Sequence, residues 1–235
     1  MDHYKIVQDP EALGAFVDWL PELEPGEAFI LSLMARKKYS LPGQGITNDR
    51  NQLARVSCKK QNLIEHIRRM EVPLDVYTAR GVCIPQQALA LYITPNPRSQ
   101  AKAARALLET LLGAVLDSTN TYNVPALALS ALQTNVSRRL LLDIDIDGMG
   151  VAQVLPLLEG LINPEAVDIL ETRGGVHLLV HPAKVDPAFV STWWKSLTTL
   201  PGVDGHGDQL LPVPGCIQGG FVPKLLQFEP QWILR

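Results

Sequence analysis

The stretch Leu140-Leu141-Leu142-Asp143-Ile144-Asp145-Ile146-Asp147 decides how this sequence is interpreted. Apolar residues alternate with aspartates, a period of two that is typical of a β-strand. In a strand the three aspartates project from one face and the apolar side chains from the other. Like charges this close repel one another, and hard divalent cations relieve that repulsion because they prefer carboxylate oxygens.

Two interpretations of this acidic strand follow. Carboxylates two residues apart can hold a pair of Mg²⁺ ions roughly 3.5–4 Å apart, the arrangement used in phosphoryl transfer. The alternative is an edge strand with a charged face in solvent. We expect Asp143 and Asp145 to bind metal, and Asp147 to turn the chain before Gly148.

Short strand patterns alternate with helix patterns along the whole chain. The predicted strands are 28–34, 88–94, 140–147, 167–172 and 176–180. The predicted helices run from Asp9-Pro10 to Leu20, from a cap at Ser57 to about Met70, from a cap at Ser99 through 101–116, and onward from Asp186-Pro187. This alternation predicts a layered α/β or α+β protein. Turn-forming residues at 116–125 suggest a boundary between an N-terminal α/β module, residues 1–120, and a second unit, residues 121–235.

Charge is segregated along the sequence although the net charge is only −3. Residues 36–69 carry nine Lys or Arg and two acidic residues, whereas residues 140–212 carry ten acidic residues and three Lys or Arg. Such asymmetry indicates a basic surface for a polyanion beside an acidic site that needs cations. An ordinary solvated helix face is the alternative for the basic stretch. Asn96-Pro97-Arg98 is interpreted as a turn with a solvated arginine.

A second candidate segment lies about thirty residues after the acidic strand. In 171–180 two strands meet at Gly174-Gly175, as in a hairpin, and Arg173 and His177 flank the turn. Glycines allow a phosphate to approach backbone amides, although a histidine on an apolar strand is often a core residue. His181, just beyond the strand, is expected at the surface.

The glycine- and proline-rich segment 202–221 is the third candidate. Its composition predicts a sharply shaped loop rather than a regular element, and long structured loops are often functional. Asp204 and Asp208 are both candidates to complete a metal site with the acidic strand.

Composition also restricts the class of protein. At 46% hydrophobic and 19% charged residues, the chain is not expected to be disordered or fibrous. No secretory signal and no membrane-spanning segment is predicted, and three widely spaced cysteines fit a reducing compartment. We therefore expect a cytoplasmic protein, or one in the host cytoplasm if a virus or plasmid encodes it.

Taken in order, the three segments resemble the archaeo-eukaryotic primase superfamily, whose primase-polymerase palm carries a hydrophobic-DxD/E motif, a small-x-His strand and a hydrophobic-D/E motif. The matching residues here are Leu142–Asp145, Gly175–His177 and Val203-Asp204, followed by Pro214-Gly215. The resemblance covers about residues 138–221. It implies an α+β fold, in which an RRM-like sheet carries the acidic strand beside the N-terminal α/β module.

The resemblance also implies an activity and a set of site residues. It implies a DNA primase or primase-polymerase, an enzyme that uses Mg²⁺ or Mn²⁺ to join nucleoside triphosphates on a single-stranded DNA template, with a separate helicase as a candidate partner and no membrane. Asp143, Asp145 and Asp204 would bind two metal ions, with Asp208 a competitor for the third position, and His177 would act with them. Nucleotide binding would fall to Arg173, Gly175, His177 and Gln218. Template phosphates would contact Arg36, Lys37, Lys38, Lys59 and Lys60.

Two other functions remain open at the level of sequence. Family members often carry arginines before the Pro-Gly pair, where this chain has Pro212-Val213, and this difference favours a non-catalytic, palm-derived nucleic-acid-binding module of replication. A metal-dependent phosphohydrolase or nuclease could use the same acidic strand.

Overall fold

A computed structural model describes residues 2–43, 45–49, 51–116, 123–208 and 210–227. Within these residues the protein is a mixed α+β structure built on two five-stranded antiparallel sheets, so the expected α+β class is confirmed. The expected boundary near residue 120 falls in 117–122, which lies outside the described residues, as does Arg50 of the basic stretch.

The first sheet is built mainly from the N-terminal part of the chain. Its strand order is β11-β5-β1-β2, with β6 pairing to the start of β1. The strands are β1 (Glu27–Ala35), β2 (Asn51–Cys58), β5 (Leu89–Ile93), β6 (Arg98–Ser99) and β11 (Leu211–Pro212), and the short hairpin β3 (Thr78–Ala79) and β4 (Val82–Cys83) lies beside them.

Helices cover the two faces of the first sheet unequally. On one face, α1 (Pro10–Trp19) and α2 (Leu63–Arg68) contribute to the largest apolar core. On the other face, α3 (Gln100–Leu116) and α4 (Val124–Thr134) cover Ala28 and Ile30 through Ala103 and Leu132. The part of that second face around Met34 and Tyr92 packs in a smaller cluster with Tyr39 and Ala90.

The second sheet has the order β10-β7-β9-β8-β12 and contains the acidic strand. Its strands are β7 (Leu142–Asp147), β8 (Val167–Glu171), β9 (Gly175–Val180), β10 (Val203–Gly207) and β12 (Lys224–Gln227), with α5 (Val151–Val154) and α6 (Trp193–Thr198) along the chain between them. One face packs on Trp193 and Leu197 of α6. On the other face, Leu170 and Leu179 join the core of the first sheet.

The segment after β10 ties the two sheets together. The chain leaves the second sheet, pairs with β5 through β11 and Gln218, and returns to the second sheet as β12. Gly215 lies on the N-terminus of α1, where its carbonyl accepts the N–H groups of Gln8 and Asp9. Its φ is positive, a conformation that favours glycine. A Cβ at this position would also collide with the backbone of Asp9 and Leu13.

Several predicted elements are confirmed and three are corrected. The predicted strands appear as β1, β5, β7, β8 and β9, with β8 and β9 as the expected hairpin, and Asp9 and Ser99 cap their helices as expected. The helix expected from Ser57 is wrong, because β2 continues to Cys58 and α2 begins only at Leu63. The helix expected from Asp186 begins only at Trp193. Residues 203–207, expected in a loop, form β10 because they pair with β7.

No helix among the described residues is both long enough and apolar enough to cross a bilayer.

Candidate active site

The acidic strand β7 presents its aspartates on the face of the second sheet that is turned away from α6. Ile144 and Ile146 point into the opposite core, which leaves the three aspartates on one side. Their environments differ: Asp143 is 1% exposed, the Asp145 side chain is 24% exposed, and Asp147 is exposed. Burial, together with the neighbouring carboxylates Asp143, Asp147 and Asp204, raises the pKa of Asp145.

His177 lies on β9 directly opposite Asp145 and connects the two inner aspartates. Its Nδ1 is 2.9 Å and 3.1 Å from the two carboxylate oxygens of Asp143, and its Nε2 is 3.5 Å from Oδ1 of Asp145. Burial alone lowers the pKa of His177, but the carboxylates of Asp143, Asp145 and Asp147 together outweigh burial, so the pKa of His177 is raised. The histidine therefore orients Asp143 and partly neutralises the aspartate pair.

Asp204 and Asp208, the two candidates for the third carboxylate, have different surroundings. Asp204 is exposed at the bulge in β10, next to Gly205, the register partner of Asp145, and contributes to the raised pKa of Asp145. Asp208 is bound on one oxygen by Arg98, at 2.5 Å, and on the other by Asn96, at 2.8 Å. Asp204 is therefore the candidate that remains open to a ligand.

Oxygen donors of this kind suit Mg²⁺ or Mn²⁺ in chemical type. Asp145 and Asp204 are accessible, and a bound cation would relieve the carboxylate repulsion that adds to burial in raising the pKa of Asp145. In the part of the chain that the structure describes, however, no group of three His, Cys, Asp or Glu side chains is already gathered to hold an ion. Metal binding therefore stays a prediction.

A cavity of about 170 Å³ separates the acidic face from the first sheet. Asp145, Asp147 and His177 line one wall, and Arg36 and Tyr92 line the other, where Lys38 and Tyr39 also contribute. Burial raises the pKa of Tyr92, so its hydroxyl stays protonated while it accepts a hydrogen bond from Arg36 at 2.6 Å. The cavity thus places cationic side chains opposite carboxylates.

Gln218 lines this cavity, and Arg173 lies beside it, between the lining residues Thr172 and Gly174. The Gln218 side-chain oxygen accepts the backbone N–H of Arg173 at 2.8 Å. The Arg173 guanidinium lies 4.6 Å from the centre of the Tyr39 ring and donates to the carbonyl of Gly219. The arginine is therefore held in place by a cation–π contact and a backbone acceptor.

Gly175, expected to allow phosphate access, has a different environment. A Cβ at this position would collide with the backbone carbonyl of Ile146 on β7. Glycine is therefore required here for the close approach of β9 to β7.

The cations expected to bind a template are dispersed. Lys37 and Lys38 are exposed on a 3₁₀ turn after β1. The Lys59 ammonium instead donates to the carbonyl of Glu27. Lys60 binds the carbonyls of Asp18 and Leu20 near the end of α1, together with the Glu22 carboxylate. Both lysines therefore already have internal partners.

Sequence reasoning misjudged two residues. Arg98, expected in solvent, is 2% exposed and holds Asp208. His181, expected at the surface, is only 20% exposed in its side chain and lies 2.7 Å from Asp168, which also accepts the indole N–H of Trp19. Tyr39 and Tyr92 were missed entirely, and nothing in the sequence separates them from ordinary core aromatics.

Comparison with known proteins adds no assignment: the chain matches no protein-family model, no curated protein and no solved structure.

Proposed function

We propose that this protein is a metal-dependent nucleotidyltransferase, a small DNA primase or primase-polymerase that acts on a single-stranded DNA template. The observation that carries the proposal is the cavity in which Asp145 and His177 face Arg36 across two sheets. A nucleoside triphosphate needs cationic side chains for its phosphates and carboxylates that recruit divalent ions, and this cavity has both. The second sheet would then be the RRM-like palm.

The proposal gives each residue a role. Asp143, Asp145 and Asp204 would hold the divalent ions, which would supply activation of the attacking 3′-hydroxyl and neutralisation of the triphosphate. His177 fixes the orientation of Asp143 through Nδ1. Arg173, positioned by Tyr39 and the Gly219 carbonyl, attracts the phosphates, where negative charge accumulates during transfer.

The test is primer synthesis and extension on a labelled single-stranded template, with Mg²⁺ or Mn²⁺ and either ribo- or deoxynucleotides. Asp145→Asn keeps the shape of the side chain and removes its charge, so we expect incorporation to fall roughly 100-fold or more. Glu159→Gln makes the same change at an exposed carboxylate outside the cavity and should leave the rate unchanged. A folded Asp145→Asn protein with the wild-type rate would contradict the proposal.

A second candidate function, a non-catalytic nucleic-acid-binding module of replication, also has support. Both oxygens of Asp143 already contact His177, and no three-ligand metal set is preformed in the described residues. Salt-sensitive binding of single strands, with no incorporation under any combination of metal and nucleotide, would favour this function over the first.

A further inference from the structure

A larger groove adjoins the candidate active site on the first sheet. This arginine groove is a cavity of about 670 Å³ on the face of β1, β2 and β5 that α3 and α4 leave open. Its lining includes Met34, Arg36, Gln52, Arg55, Tyr92 and Gln133. Arg36, Tyr92 and Leu210 also line the smaller cavity beside Asp145, so the two cavities lie next to each other.

Polar atoms without partners concentrate on this face of the sheet. Buried side-chain atoms that have no hydrogen-bond partner among the described residues are Ser32 Oγ and the Nε atoms of Arg36, Arg55 and Arg98. Ser32 pairs with Arg55 on one side and Tyr92 on the other, beneath the groove. Arg98 lines an adjoining cavity of about 310 Å³ that shares Gln133 with the groove. Buried donors are normally satisfied, so these donors mark a face of the sheet that is more polar than an ordinary core.

The charge of Arg55 is also uncompensated. Its terminal nitrogens donate to three neutral oxygens on α4, those of Gln133, Ala126 and Ser130, and in the described part of the chain no carboxylate pairs with it. Burial lowers the pKa of Arg55, as expected for a cation with neutral partners. The carboxylate that lines the groove, Asp49, lies 3.8 Å from Arg36 and accepts the backbone N–H of Lys38. The groove therefore retains positive charge at Arg55.

We infer that the arginine groove holds a single-stranded nucleic acid, with backbone phosphates at Arg55 and Arg36. Arg36, just after β1, lies four residues beyond Ser32, the register partner of Arg55, so the backbone positions of the two arginines are roughly 13 Å apart along the strand direction. Between them, the half-buried side chain of Met34 offers an apolar surface against which a base can pack. The ligand class rests on the proposed function, and the groove would lead the strand to Asp145.

The decisive experiment is fluorescence anisotropy with a fluorescein-labelled sixteen-nucleotide oligo(dT), in EDTA and without nucleotides. Gln52→Glu places a negative charge in the groove at an exposed side chain, so the fold should survive. Gln61→Glu adds the same charge at another exposed glutamine of the basic stretch, just before α2, which packs on the opposite face of the sheet. We expect Gln52→Glu to weaken binding about tenfold and Gln61→Glu to have little effect.

Arg55→Gln provides a second measurement. Loss of one phosphate contact should reduce the slope of log affinity against log salt by about 0.7, provided that circular dichroism shows an intact fold. Equal affinities for Gln52→Glu and Gln61→Glu, or an unchanged slope for folded Arg55→Gln, would overturn the inference. Because binding is measured without metal, a failure of nucleotide incorporation would refute the enzyme while leaving the groove supported.

Discussion

Two adjacent glycines at the rim of the candidate site share a left-handed backbone but differ in their surroundings. Gly219 has φ +62° and Gly220 has φ +80°. A Cβ on Gly219 would penetrate the Tyr39 ring and the Arg173 guanidinium, whereas a Cβ on Gly220 would point into open space. The pair therefore separates the cost of backbone conformation from the cost of packing around Arg173.

We expect Gly219→Ala to destabilise the protein more than Gly220→Ala. Both substitutions place an L-residue at positive φ, which costs roughly 1–2 kcal/mol. Gly219→Ala must also displace Tyr39 or Arg173, which adds about 1–3 kcal/mol. Urea unfolding monitored by circular dichroism measures both values. Equal losses would mean that Tyr39 and Arg173 move aside freely and that the rim is not rigidly packed.

At the scale of secondary structure, strands with a strong pattern were predictable and strands formed by pairing were not. The alternation in β7 and the apolar run of β9 identify both from sequence. In contrast, β10 contains two glycines and a histidine in five residues, a poor intrinsic strand, and forms because β7 offers it an edge. The same limit applies to side chains: β7 identifies Asp143 as a candidate, but only the register of β7 against β9 brings His177 to it.

Strand β1 carries a buried carboxylate, Glu27, whose ion pair with the half-buried Arg138 should make stability sensitive to acid. The Glu27 carboxylate accepts hydrogen bonds from Nε of Arg138 at 2.9 Å and from its Nη2 at 2.7 Å, and these bonds lower the pKa of Glu27 to about 2. Because the folded pKa lies below the unfolded value of 4.5, the stabilisation is complete above about pH 4.5 and is lost as the pH falls towards 2. The loss should reach roughly 2–3 kcal/mol.

The measurement is the free energy of unfolding in urea between pH 6 and pH 2.5. Glu27→Gln should lower stability at pH 6 and flatten its dependence on pH. Glu24→Gln removes a 64% exposed partner of the same arginine and should leave the wild-type dependence nearly unchanged. If Glu27→Gln and the wild type lost stability in parallel, a different carboxylate would be responsible for the acid sensitivity.

For the whole molecule, the path of the chain makes the two sheets mutually dependent. Residues 211–218 complete the first sheet, although they lie in sequence between two strands of the second. Leu170 and Leu179 of the second sheet pack in the core of the first. Trp19 of α1 adds a hydrogen bond of 2.8 Å to Asp168 on β8. Separating the sheets would expose this shared core and break the first sheet itself.

We therefore expect both sheets to unfold in one cooperative transition. In a Cys83→Ser background, which removes the exposed thiol, Cys58 and Cys216 report on the core of the first sheet. Burial raises the pKa of Cys58 to about 12, so labelling at neutral pH requires unfolding. The indole fluorescence of α6, where Trp193 lies in the core of the second sheet beside Trp194, is the other probe, measured in a variant that carries Trp19→Phe and Trp232→Phe. The urea midpoints for thiol labelling and fluorescence should coincide, and Trp19→Phe should lower the free energy of unfolding measured by thiol labelling by about 1 kcal/mol through its lost hydrogen bond. Two separated midpoints would mean that the sheets unfold independently and that the 211–218 crossing does not couple them.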